Sequence, residues 1–123
     1  MKKYLDRFGE NSMLNDTYGL RYLPLFYEEL THDVSYIACQ FNNISAAGRL
    51  LDEVERAIQK RLEDGPEIFE AVPSKKDREH PYYRIYVKNY IVYYVVLEEA
   101  GKKIMEVRRF LHNREDRDRK IEG

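Results

Sequence analysis

The residues of this chain best suited to chemistry lie in its last third. Arg84 sits among three tyrosines, Tyr82, Tyr86 and Tyr93, and His112 sits among the arginines Arg108, Arg109 and Arg114. A guanidinium is permanently charged and can stabilise a phosphate or carboxylate. An imidazole can accept or donate a proton near neutral pH. The chemistry open to this set is charge stabilisation and proton transfer, or recognition of a partner by aromatic and cationic contacts. The bland alternative is that Arg84 stacks on tyrosines to solvate a sheet face and that His112 merely ends a strand.

Other chemistries lack their residues. No glycine-rich phosphate loop and no spaced metal-ligand pair occurs. His32, His80 and His112 are scattered, Cys39 is the single cysteine, and no serine-nucleophile signature is present. No cofactor is expected. His32 reads as a surface residue on the polar side of a helix, and Cys39 as a helix-packing residue. One cysteine excludes an internal disulfide and suits a reducing cytoplasm. No apolar run is long enough to span a membrane, and none follows the basic start MKKYLDR.

The elements that position these residues can be read from spacing. At 123 residues and 43% hydrophobic content the chain fits one folded domain with a modest core. Tyr18 to Leu23 reads as a strand stopped by Pro24. Tyr27, Leu30, Val34, Ile37 and Phe41 step by three and four, the period of a helix from Leu25 to about Phe41. Ser45 is placed to cap a second helix whose stripe is Ala47, Leu50, Leu51, Val54, Ile58 and Leu62, ended by Asp64-Gly65-Pro66. Residues 65–81 hold the other three prolines and read as a loop, with a short strand at Ile68 to Val72 and a solvated run at Lys75 to Glu79.

Three alternating runs follow. Lys88-Asn89 predicts a two-residue hairpin turn, with Asn suited to positive φ. That register pairs Val87 with Tyr90, Ile85 with Val92 and Arg84 with Tyr93. One face then holds Tyr83, Ile85, Val87, Tyr90, Val92 and Tyr94, and is the better core candidate. The other holds Tyr82, Arg84, Tyr86, Ile91, Tyr93 and Val95. Glu98 to Gly101 predicts the next turn and Ile104 to Leu111 the last strand. The layout is α+β: an N-terminal strand, a two-helix hairpin packed on one face of an antiparallel sheet, and a three-stranded C-terminal meander. The organisation expected is an extension at 1–17, a domain at 18–116 and a charged tail at 117–123.

Charge is segregated along the chain. Residues 1–74 carry 8 basic and 13 acidic side chains, a net of −5, and residues 75–123 carry 13 and 9, a net of +4. The basic half could face an anionic partner, either nucleic acid or an acidic protein segment.

Four segments taken in order carry a resemblance: LRYLPLFYEELTHDVSYI, AAGRLLDEVERAIQKRLEDGP, YYRIYVKNYIVYYVV and VRRFLHNRED. Together, over about four-fifths of the chain, they resemble the RelE/ParE superfamily of bacterial type II toxin–antitoxin toxins. The resemblance implies a small cytoplasmic toxin of a plasmid-stabilisation or addiction module, held in a hetero-oligomer by a cognate antitoxin. It also implies a target, either DNA gyrase for the ParE-like branch or the translating ribosome and its messenger RNA for the RelE-like branch. In the RelE-like branch an arginine follows the turn tyrosine and helps stabilise the strained phosphate. Here that position is Ile91. Another basic position falls on Tyr82, and no tyrosine occurs after Tyr94, where that branch has one near its C-terminus. Arg84 and Arg114 match two remaining basic positions.

Three readings follow. In the first, closer to the ParE side, the toxin binds a protein target such as gyrase, with Tyr82, Arg84, Tyr86, Tyr93, Arg108 and Arg109 as target- or antitoxin-binding residues. In the second it is a metal-independent, ribosome-dependent endoribonuclease, with Arg84 and Arg114 holding phosphate and His112 moving the proton. In the third it is an inactive member of the family.

Overall fold

The computed structural model describes residues 18–73 and 80–113. Its elements in chain order are β1 (Tyr18–Tyr22), α1 (Pro24–Gln40), α2 (Ile44–Asp64), β2 (Tyr83–Val87), β3 (Tyr90–Glu99) and β4 (Lys102–His112). The α+β layout of strand, helix hairpin and meander is therefore the observed one. The strands form one sheet in the order β1-β4-β3-β2. The meander is antiparallel, while β1 lies parallel to β4, with Tyr18 opposite Lys103 and Tyr22 opposite Val107. A parallel neighbour requires a long crossover, and the helix hairpin with the first two meander strands supplies it.

Pro24 opens α1, where its missing N–H costs nothing. The buried face of α1 is Phe26, Leu30 and Val34; Tyr27 and Ile37 of the expected stripe pack partly buried against that core, Phe26 joins it unforeseen, and Phe41 is exposed. Cys39 is exposed as well and does not pack between the helices. The cap of α2 is Asn43 rather than Ser45, its Oδ1 accepting from the Ala46 N–H at 3.0 Å. The stripe read for α2 is buried at all six positions. Gly65, at φ 109°, ends the helix with its N–H on the Arg61 carbonyl.

The main core lies between the helix hairpin and the sheet. It takes Tyr83, Ile85, Val87, Val92 and Tyr94 from the face expected to be buried. The opposite face is also closed in part, where Val72, Ile91, Tyr93 and Leu111 form a second, smaller cluster edged by Tyr82. The strand expected at Ile68 to Val72 reduces to one bridge, Ala71 to Tyr83, supported by the Val72 N–H on the Tyr82 carbonyl at 2.7 Å.

The hairpin register is the expected one, with Val87 opposite Tyr90 and Arg84 opposite Tyr93. The positive φ falls on Lys88, at 51°, and not on Asn89. The second turn is tighter than expected. Strand β3 runs on to Glu99, and only Ala100 (φ 52°) and Gly101 (φ 77°) turn the chain. A bulge at Tyr93/Tyr94 leaves Arg108 without an opposite residue. The helix-facing positions of β4 therefore change from Met105 and Val107 to Phe110.

Candidate functional site

Arg84 sits on β2 between Tyr83 and Ile85, both buried in the main core, so strand alternation turns it to the opposite face. Its guanidinium lies 5.9 Å from the ring of Tyr86, an exposed side chain at the outer strand. The Arg84 carbonyl accepts from Arg61 Nη1 at 3.1 Å. The same Nη1 reaches the Tyr94 hydroxyl at 2.9 Å, and the Arg61 guanidinium covers the Phe69 ring at 3.7 Å. The Tyr94 hydroxyl donates to the Pro66 carbonyl at 2.7 Å. Burial raises the Tyr94 pKa to about 12, against the lowering effect of Arg61. Arg61 thus braces the strand that carries Arg84 from the end of α2.

Tyr82 and Arg108 meet on the face away from the helices. Arg108 Nη1 donates to the Tyr82 hydroxyl at 3.2 Å and Arg108 Nε to Glu106 Oε1 at 2.8 Å. Glu106 is nearly buried, and its other oxygen accepts from Arg21 Nη1 at 3.1 Å. Arg21 also grips Glu99 with both terminal nitrogens, at 2.7 and 2.9 Å. Its pKa is raised, chiefly by the hydrogen bond to Glu99 and then by that to Glu106. The result is a charged chain across three strands, Tyr82–Arg108–Glu106–Arg21–Glu99. Burial works against the charge of Arg108, but its bonds to Tyr82 and Glu106 outweigh that and raise its pKa.

Arg109 is committed elsewhere. Its Nε and Nη2 donate to the two oxygens of Glu29 on α1, at 3.0 and 2.7 Å, and Glu29 Oε1 also accepts from the Phe110 N–H at 2.9 Å. Strand β1 reaches only Val107, so Glu29 takes the place of a strand neighbour on the next stretch of β4. Tyr93 is fully buried, edge-on to Tyr82 at 6.3 Å between ring centres. It supports Tyr82 from beneath and presents no surface to a partner.

His112 stands on the helix side, edge-on to Tyr90 at 5.2 Å. There it lines a groove of about 450 Å³ with His32 and Asp33 of α1. Two histidines far apart in sequence thus share one groove, while Arg84 and His112 occupy opposite faces of the sheet. Arg114 lies outside the described residues. Among the described residues no group of three or more His, Cys, Asp or Glu side chains could hold a metal ion. No helix among them is long and apolar enough to cross a membrane.

The sequence model of a family described as the ParE toxin of the type II toxin–antitoxin system parDE matches residues 20–117. The chain belongs to the ParE toxin family. No curated protein and no solved structure matches it. As a ParE toxin it is the toxic half of a type II pair, which implies a cognate antitoxin as partner. The ParE-leaning resemblance of the central hairpin and the last strand therefore stands. Residues that matter to this ParE fold but escaped the sequence reading are Glu29, Glu106, Arg21 and Arg61, each bonded to a residue distant along the chain.

Proposed function

We propose that this ParE toxin arrests growth by binding a protein target, DNA gyrase, and does not cut RNA. The observation that carries this reading is Ile91. It occupies the position after the turn tyrosine where the RelE-like branch has an arginine, and it is fully buried with Tyr93 and Leu111. A cation placed there would have to be desolvated without a partner, which costs several kcal/mol. Loss of one preorganised donor of this kind costs about a hundred- to a thousandfold in rate. The separation of Arg84 and His112 onto opposite faces also supports the reading, because phosphate stabilisation and proton transfer must converge on one group. The target-binding residues proposed are Tyr82, Arg84 and Tyr86, with Arg108 fixed beside Tyr82. Arg109 acts as a strut to α1.

Two assays run side by side test this. Purified toxin is titrated into a gyrase supercoiling reaction, and into a translation reaction whose messages are mapped for new ends. Inhibited supercoiling with intact messages is expected. New message ends with unimpaired supercoiling would replace this reading with the nuclease.

A further inference from the structure

Arg21, Arg108 and Arg109 each meet a glutamate. Arg61 does not. It is partly buried, yet no carboxylate among the described residues lies within ion-pair distance of it. Its Nη1 bonds two neutral oxygens, the Arg84 carbonyl and the Tyr94 hydroxyl, and its face covers the Phe69 ring. A guanidinium carries five N–H donors in a planar fork. Those on Nε and Nη2 have no partner among the described residues, and the charge has no counter-ion there. Bracing β2 takes one nitrogen. A cation drawn partly out of water without an anion is a cost that the bracing does not require.

Arg61 lines a groove of about 190 Å³ between α2 and β2, with Ala57, Phe69 and Ile85 as its apolar walls. Lys60 and Asp64 line it too, but they pair with each other at 3.1 Å and cancel. The uncompensated charge of the groove is therefore the one cation of Arg61. Its place in the fold matters as well. Ile85 lies between Arg84 and Tyr86, and β2 is the outer strand of the sheet. A partner that covers Arg84 and Tyr86 reaches the groove by turning around that edge. A nucleic-acid backbone suits the groove poorly. Glu63, Asp64, Glu67 and Glu70 are all exposed around the end of α2, and a run of phosphates would meet them. A single carboxylate with an apolar neighbour meets the cation and the apolar walls together.

We propose that this groove takes an Asp or Glu side chain of the protein target, with its carboxylate on Arg61 Nε and Nη2 and an adjacent apolar residue against Ala57 and Phe69. The inference rests on the reading of this toxin as one that acts by binding gyrase. It adds the chemistry of the segment that the target presents, and a contact on the helix side of the strand that carries Arg84 and Tyr86.

The test titrates the full chain against purified DNA gyrase and records a thermal melt of every variant. Ala57→Glu sets a carboxylate one turn before Arg61, the i,i+4 spacing and order at which the pair forms within a helix, and so fills the groove from inside. Ala57→Gln adds the same bulk without the charge. Phe69→Ala removes an apolar wall that is 37% exposed, and Ile44→Ala is a control at the far, exposed end of α2. The melts should match the wild type. Binding should weaken about tenfold or more in Ala57→Glu, clearly less in Ala57→Gln, severalfold in Phe69→Ala and not at all in Ile44→Ala. Wild-type affinity in Ala57→Glu would overturn the groove and leave the gyrase reading intact. An equal loss in both Ala57 variants would overturn the carboxylate. If the Ala57 variants melt early, Phe69→Ala decides, and its binding like the wild type would overturn the groove. A wild-type toxin that does not bind gyrase would remove both readings.

Discussion

At the residue scale, two side chains show how burial and pairing decide what a position can do. Ile91 closes the small cluster on the second face, and its burial argues against phosphate chemistry there. Tyr94 ties β3 to the loop after α2 through Pro66 and Arg61. Replacing it with Phe removes the donor to Pro66 and one acceptor of Arg61, and should cost about 1 kcal/mol in urea denaturation. The same residue makes a pH prediction. Burial raises its pKa to about 12, so the folded state favours the neutral phenol. The stability this contributes is fully present below the ordinary tyrosine value of about 10 and is lost as pH rises toward the folded value. The melting temperature should hold to about pH 9 and then fall, and the fall should be shallower in Tyr94→Phe. An equal fall in both proteins would refute the assignment. Residue types were legible in the sequence, but the partners of Glu29 and Arg21 were not. They lie about 80 residues away along the chain, and only the folded sheet brings them together.

At the element scale, Glu29 joins α1 to β4 with three charge-assisted hydrogen bonds. Glu29→Ala leaves Arg109 and the Phe110 amide without this partner in a largely buried place. It should cost about 2–3 kcal/mol, read as a lower urea midpoint with an unchanged slope. The β3–β4 turn offers the opposite change. Ala100 holds φ at 52° before Gly101 at 77°, a pair of positive angles that Asn-Gly adopts far more readily. Ala100→Asn should therefore gain up to about 1 kcal/mol, and a loss in the same denaturation series would count against this turn geometry. Much of this scale was written in the spacing. The six-position stripe of α2 and the hairpin register were read correctly. The face of α1 was read in part: Leu30 and Val34 are buried and Tyr27 and Ile37 pack against the core, but Phe26 was missed, because Leu25, Phe26 and Tyr27 are adjacent and spacing alone does not choose among them. The cap of α2 went to Asn43 over Ser45 by two positions, a choice made by local backbone geometry. Strand β3 outran its expected end: its ladder with β4 continues through Glu98 and Glu99, opposite Lys103 and Lys102, and Glu99 is held by Arg21 of β1, a partner 78 residues away that spacing does not reveal.

At the scale of the whole molecule, the sheet order could not be read from local pattern. Spacing announces strands, but the parallel docking of β1 against β4 is fixed only when the helix hairpin has crossed over the sheet. That docking leaves the end of β4 without a strand neighbour on its β1 side, and so creates both the Glu29 clamp and the groove beside His112. It also divides the described residues into a Tyr82–Arg84–Tyr86 side and a His112 side, which sets Arg84 and His112 apart and supports action by binding. On the proposed reading this ParE toxin works by occupying gyrase. The most direct measurement is a titration of purified toxin into a DNA gyrase supercoiling reaction. Loss of supercoiling as toxin approaches equivalence with the enzyme, reversed by the antitoxin, is the result predicted. Full supercoiling with toxin in large excess would contradict it.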